Sequence, residues 1–488
     1  MRMFKKVVRR IKILSIIGTF VLAAFHAERI SAAEFFQLPG VIHVQTTFDG
    51  AGYYSLEELV SLSKENGLEV LVTADHDLQV MEYGIFPLRN LIKRCEKRDS
   101  VLEVGPDRFL SQIARINTKQ KDVLVIPGVQ SSPFYYWKGN LFGKSLTAYD
   151  YRKELLLIGM RSPEDYEGLP LLHSGFSTRY TKKLLPRSVI FFIALVMSVY
   201  LVTQKGILRI FGGIIGILSL ALLINHHPFQ SSLFDPYHGD QGIKPFQELI
   251  DYVNERNGLV FWAHPESNYA VNGVPLGPAT LMTKHYPDDL IASKGYTGFE
   301  AIYGDNITIT NPGMHWDRIL SLYCSGQRDK PIWGISGADF HGGIEGETID
   351  YYQTIFWVRE KNTHEILASL SKGRFYAVRK GRGLRLSLDQ FTVINEETGN
   401  SVFTGEKIDV NGSPVIECKL SASDGGQHGI KAKLIRGGKV IKVFQGETPM
   451  TFRFSDKGDW TGKTFYRLDV HGPSAGLLLS NPIFVIKG

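Results

Sequence analysis

The sequence predicts an α/β chain in three parts: a barrel-like β/α domain, an apolar helical hairpin inserted into it, and an all-β domain after it. Three patterns predict this. Short apolar runs between residues 41 and 335 repeatedly end in polar residues, as strands of parallel β/α folds do at their C-terminal ends. Two long apolar runs lie side by side within 189–224. From about Leu384 helical periodicity stops and apolar/polar alternation takes over.

The 488 residues carry a formal charge of +6. Six of the 55 lysines and arginines fall in residues 1–12, and the remaining basic residues balance the 49 acids. A polyanion-binding protein spreads basic surface over its body, so nucleic acid is not an expected partner. The basic start leads into the apolar run Ile11–Phe25 and then Ser31-Ala32-Ala33. Residues 1–33 therefore read as a signal peptide or an uncleaved membrane anchor. The basic end is expected in the cytoplasm and the soluble domains on the non-cytoplasmic side of the membrane. Cys95, Cys324 and Cys418 form no metal-binding or disulfide spacing.

Residues 41–46 predict the first strand. Ser55-Leu56-Glu57-Glu58 is a capping box that opens a helix, Gly67 stops it, and 69–73 form a second strand parallel to the first. Further strands are expected at 123–126, 155–158, 259–263, 298–303 and 332–335. Residues 34–185 and 228–383 are then two parts of one α/β domain. Between them, 186–227 reads as a transmembrane hairpin with its tip at Lys205 and Arg209. Each apolar run falls a little short of the ~20 residues of a full span, so a hairpin buried in a large core is the alternative. Lys182, Lys183 and Arg187 flank the hairpin on the exported side, against the positive-inside tendency. Residues 384–488 predict a β-sandwich, with Arg436-Gly437-Gly438-Lys439 as a hairpin turn.

Four strand ends carry chemistry: Ile42-His43-Val44-Gln45 with nearby Asp49, Ala74-Asp75-His76-Asp77, Ala263-His264-Pro265, and Gly337-Ala338-Asp339-Phe340-His341. Imidazole and carboxylate suit divalent zinc, manganese or iron. Residues 43 and 45, and 339 and 341 if that strand continues, share a face through the two-residue period.

In this order and spacing, the set resembles the PHP (polymerase and histidinol phosphatase) superfamily. The tail ending Ser480-Asn481-Pro482-Ile483-Phe484 resembles its carbaryl-hydrolase-like metallohydrolase branch. The resemblance implies a distorted β/α barrel (PHP-like) with His43, His76, His264, Asp339 and His341 as metal ligands. Asp49 and Glu154 are further candidates, and one or two divalent transition-metal ions (Zn, Mn or Fe) are implied. Gln45 stands where the family has the second histidine of an HxH pair, and Gln130 where it has a glutamate. The implied activity is that of a membrane-attached hydrolase using metal-bound hydroxide on a small-molecule substrate. Phosphoesters lead as the substrate class, and amides or carbamates follow. The two neutral amides favour the alternative, a non-catalytic membrane protein whose PHP-like barrel binds a ligand or metal. Arg161 and Arg179 are candidate phosphate-binding groups and His173 a candidate for orienting substrate, beside the commoner reading as surface arginines and a loop histidine.

Overall fold

A computed structural model describes residues 35–140, 143, 145–343 and 347–488. The expected signal or anchor, 1–33, lies outside the described residues. The first strands are β1 (Phe36–Val44), β2 (Val70–Thr73), β3 (Asp75–His76), β4 (Gln79–Gly84), β5 (Lys93–Arg98), β6 (Leu124–Ile126) and β7 (Gly128–Ser131). Next come β8 (Tyr136–Lys138), β9 (Thr147–Tyr149), β10 (Leu155–Ile158), β11 (Leu259–Trp262), β12 (Val274–Leu276) and β13 (Ala279–Met282). After them are β14 (Gly298–Ile302), β15 (Trp333–Ser336), β16 (Tyr352–Val358) and β17 (Phe375–Arg379).

Two sheets build the α/β part, one running β17-β16-β1-β2-β6 and the other β15-β14-β11-β10-β7-β3. They meet where the amide of Phe340 donates to the carbonyl of His43 and that of Gln45 to the carbonyl of Phe340, both at 3.0 Å. One apolar core joins them, with Ile42, Val72, Val125, Leu157, Phe261 and Ile335 fully buried. The capping box forms as expected: Ser55 accepts from the Glu58 amide, and the Glu58 carboxylate accepts from the Ser55 amide. This helix, Leu56–Glu65, connects β1 to the parallel β2.

The parallel pattern holds for β1, β2 and β6, and for β11, β14 and β15. It fails at β10, which is antiparallel to both β7 and β11. Among the described residues no helix lies between β7 and β10, and an antiparallel pair needs none, whereas parallel neighbours need a crossover.

Two helices, Thr181–Val202 and Ile207–Asn225, are long and apolar enough to cross a membrane. Their apolar side chains point outward, Ile190 being 65% and Ile217 73% exposed. That separates the hairpin from a helix pair buried in the core.

The C-terminal strands are β18 (Leu386–Asn395), β19 (Asn400–Phe403), β20 (Lys407–Val410), β21 (Val415–Ala422), β22 (Gly429–Arg436) and β23 (Lys439–Glu447). They continue as β24 (Met450–Ser455), β25 (Gly462–His471), β26 (Leu477–Ser480) and β27 (Ile483–Lys487). Arg436 pairs with Lys439 across a turn whose two glycines both have positive φ, 52° and 85°, as that hairpin turn demands. One sheet, β19-β18-β21-β24, stands apart. The other strands do not, because β26 pairs with β17, making one eleven-stranded sheet with the first α/β sheet. Arg467 on β25 donates to both oxygens of Asp317 at 2.6 and 2.8 Å, fully buried. The Asn481 side chain bonds the Gly334 amide and the Phe375 carbonyl.

Candidate metal centre

The ends of β1, β11 and β15 bring His43, His264 and Asp339 together, with one potential ligand atom from each within 4.8 Å of the others. All three have left-handed backbone, with φ of 70°, 24° and 48°. Such angles are costly for residues with a Cβ and persist where the surrounding fold imposes them, often at functional sites. At His43 the cause is visible. The β1–β2 register slips between Ile42 and Val44, so His43 bulges out of the ladder and turns into the centre.

Glu300 holds this arrangement from behind. It is fully buried in the middle of β14. One carboxylate oxygen lies 2.7 Å from His43 Nδ1, and the other accepts from the His264 amide at 2.7 Å. A carboxylate only accepts, so Nδ1 carries the proton and Nε2 faces the centre. That Nε2 stands 3.1 Å from Asp339 Oδ1. It is buried without a well-directed hydrogen bond, as is His264 Nδ1. Gly337 makes room for Glu300, since a Cβ there would collide with the carboxylate.

His76 repeats the pattern. Its Nδ1 lies 2.7 Å from Asp49 Oδ2, which also accepts from the His76 amide. The second oxygen of Asp49 accepts from the Ala51 amide. The Asp49 carboxylate is thus directed at His76 and its own turn. Nε2 of His76 faces Glu154 Oε1 at 4.0 Å, while Glu154 Oε2 lies 3.3 Å from His264 Nε2. Glu154 therefore reaches both imidazoles, one with each oxygen. It can do so because β10 is reversed: the residue before this strand sits at the edge where the parallel strands end.

The two glutamines face each other. Gln45 Nε2 donates to Gln130 Oε1 and Gln130 Nε2 to Glu154 Oε2, each at 2.7 Å. Gln45 lies past the end of β1, so it does not share a regular strand face with His43. The strand of β15 also ends before Asp339, at Ser336. His341 sits in the following loop, partly exposed, with Nδ1 2.8 Å from the Asp339 carbonyl.

The electrostatics fit a cation site. Burial disfavours charge on His43, but Glu300 and Asp339 outweigh it and hold its pKa well above the ordinary histidine value. Burial likewise opposes His264, and Glu154 and Asp339 raise it. Burial opposes the charge of Glu154 too, yet His264, Arg152 and His76 bring its pKa down to about 2. The neighbouring Asp75 and Asp77 are raised instead, to about 8 and about 7, chiefly by burial.

Two contributors escaped the sequence reading. Arg152 places a guanidinium nitrogen 3.4 Å from both His76 Nε2 and Glu154 Oε1, and packs on the Tyr269 ring. Its only trace in the sequence is its spacing of two from Glu154. Glu300 was legible as a charge inside an apolar strand, which a buried site must explain. Arg161 and Arg179 lie elsewhere: Arg161 donates its amide to Asp165, and Arg179 bonds the Gly168 carbonyl and stacks on Tyr252. His173 accepts from the Gly175 amide, beside Ser231.

No protein-family model matches the chain, and no curated protein matches it. Among solved structures, it is similar to a two-domain protein from Bacteroides vulgatus containing a predicted PHP-like metal-dependent phosphoesterase. Identity there is 11% and the TM-score 0.35, over 92% of this chain and 96% of that one. It is also similar to a candidate metal-dependent phosphoesterase from Bifidobacterium adolescentis, with 16% identity and a TM-score of 0.27, over 63% of this chain and 91% of that one.

Proposed function

We propose that the protein is a membrane-attached, metal-dependent hydrolase acting on phosphoesters. The observation that carries this reading is the convergence of His43, His264 and Asp339 on left-handed backbone, with Glu300 fixing two of them. His43, His264 and Asp339 would hold one divalent cation. Glu154 and His76 would take part in a second, with His341 at the rim and Asp49 orienting His76. The mixed nitrogen and oxygen donors suit zinc, manganese or iron. A cation bound there lowers the pKa of water and polarises a phosphoryl oxygen. Arg152 offers charged donors to a phosphate oxygen. A neutral amide or carbamate has no use for that charge, which ranks these substrates second. The motif order shared with the PHP superfamily supports the same reading. So does interpretation of the two α/β sheets as a distorted barrel, with residues 384–488 as a β-sandwich sharing one sheet with it. The carbaryl-hydrolase-like branch remains part of the proposal. We assign Asn481 of its tail motif the structural task of tying the C-terminal end to β15.

The hairpin spans the membrane in this reading and returns the chain to one side, taken as non-cytoplasmic from the basic N-terminal segment. A second reading, a binding protein without catalysis, draws on the closed Gln45–Gln130 pair. Full-length protein supplied with zinc, manganese or iron, and assayed on an aryl phosphomonoester, a phosphodiester and an aryl carbamate, separates these. Metal-dependent turnover of a phosphoester supports the hydrolase, carbamate turnover alone moves the substrate class, and metal uptake without turnover supports the second reading.

A further inference from the structure

The foot of the apolar hairpin is surrounded by side chains that a water-facing surface does not explain. The turn between β4 and β5 exposes Ile85, Phe86, Leu91 and Ile92, with Phe86 77% exposed. Two hydrogen bonds tie this turn to the last residue of the second apolar helix: Asn225 Oδ1 accepts from the Asn90 amide, and the Asn225 carbonyl from the Asn90 side chain. Phe176, 82% exposed, lies 5.2 Å from the His227 ring and 6.2 Å from Phe229. The same level is marked on the other helix, where Ser188 donates to the His226 carbonyl and Phe191 stacks on the His226 ring. Basic side chains also gather here, with Asp235 beside His226 and Glu248 beside Tyr180 as acidic neighbours. Lys182, Lys183 and Arg187 are exposed just before the apolar stretch, and Arg89 stacks on Tyr237 beside Phe86.

We propose that the β4–β5 turn, with Phe176 and Phe229, is a collar that seats in the interfacial layer of an anionic bilayer. The proposal rests on the reading of the hairpin as membrane-spanning. Aromatic and aliphatic side chains at the foot of a span suit the acyl–headgroup boundary, and the exposed Lys182, Lys183 and Arg187 suit anionic headgroups. The collar continues the apolar surface of the two helices and fixes how the soluble domain stands on the membrane. A protein partner would need to leave the helices room to enter lipid at the same level.

The test uses full-length protein in nanodiscs of phosphatidylcholine, alone or mixed with phosphatidylglycerol. Nitroxides are placed through Phe86→Cys, Leu91→Cys, Ile217→Cys and Gln445→Cys, with Cys95→Ser and Cys324→Ser as background. Expected is a severalfold lower accessibility to a water-soluble nickel complex at 86 and 91 than at 445 on β23, approaching that at 217. Lipid-like behaviour at 217 with water-like behaviour at 86 and 91 overturns the collar alone. Water-like behaviour at 217 overturns the spanning reading as well. Adding Lys182→Glu with Lys183→Glu is expected to raise nickel accessibility at 86 in the phosphatidylglycerol discs only. An unchanged value there overturns the anionic partner.

Discussion

At His43, a proton competes with any cation for the imidazole. Glu300 and Asp339 hold its pKa above the ordinary value in the metal-free protein. A cation requires neutral imidazole, so the proton competes up to that raised pKa, and affinity should fall with pH from above 6.5 downward. Calorimetric zinc titrations across pH check this, and a midpoint below 6.5 contradicts it. Folding stability of the metal-free protein runs the other way. A raised histidine pKa contributes stability that is full below the unfolded value and lost as pH rises through the folded one. Glu300→Gln should weaken metal binding about 10–100-fold, the usual cost of losing a carboxylate behind a ligating histidine. Gly337→Ala should act similarly, because its methyl group displaces Glu300. Arg152→Ala should lower kcat/KM for a phosphoester about 10–100-fold, mainly through KM, if charged hydrogen bonds of ~1.5–3 kcal/mol are lost. Steady-state kinetics on the metal-loaded variant measure this, and an unchanged KM removes Arg152 from substrate binding.

At the level of elements, reversed β10 decides how the centre is built. It carries Glu154 to the edge where Gln130 stands, and the Gln130 amide satisfies the Glu154 carboxylate. Gln130→Glu would set two acceptors face to face. Chemical unfolding should find the metal-free variant about 1–3 kcal/mol less stable, the cost of an unsatisfied buried group, while its metal content rises as a second cation relieves the repulsion. The strand sites themselves were legible, because each is a short apolar run closed by polar residues. The helix start at Ser55 and the glycine hairpin at 436–439 were legible from local turn and cap chemistry. The direction of β10 was not, since an apolar run such as Leu155–Ile158 reads the same both ways. Nor were the left-handed angles at His43, His264 and Asp339. They come from register slips and loop closure between strands distant in sequence.

Across the whole molecule, the C-terminal strands are part of the support of the site. The Arg467–Asp317 pair is buried and joins β25 to the helix His315–Cys324. Asp317→Ala leaves a buried guanidinium uncompensated and should cost about 3–5 kcal/mol in chemical unfolding. In the membrane-spanning reading the hairpin enters and leaves on one side, so reporter fusions near Pro170 and after Gly488 should give the same, non-cytoplasmic signal. His76 and Phe86 are ten residues apart along the chain, which limits their separation to ~36 Å. In the proposed arrangement the centre stands within that distance of the collar. The most direct measurement of the central claim is elemental analysis of purified full-length protein. It should contain tightly bound transition metal, lowered severalfold by His43→Ala, His264→Ala and Asp339→Ala but not by His173→Ala. Absence of metal from the parent, or equal content in all four variants, would contradict the assignment of the site.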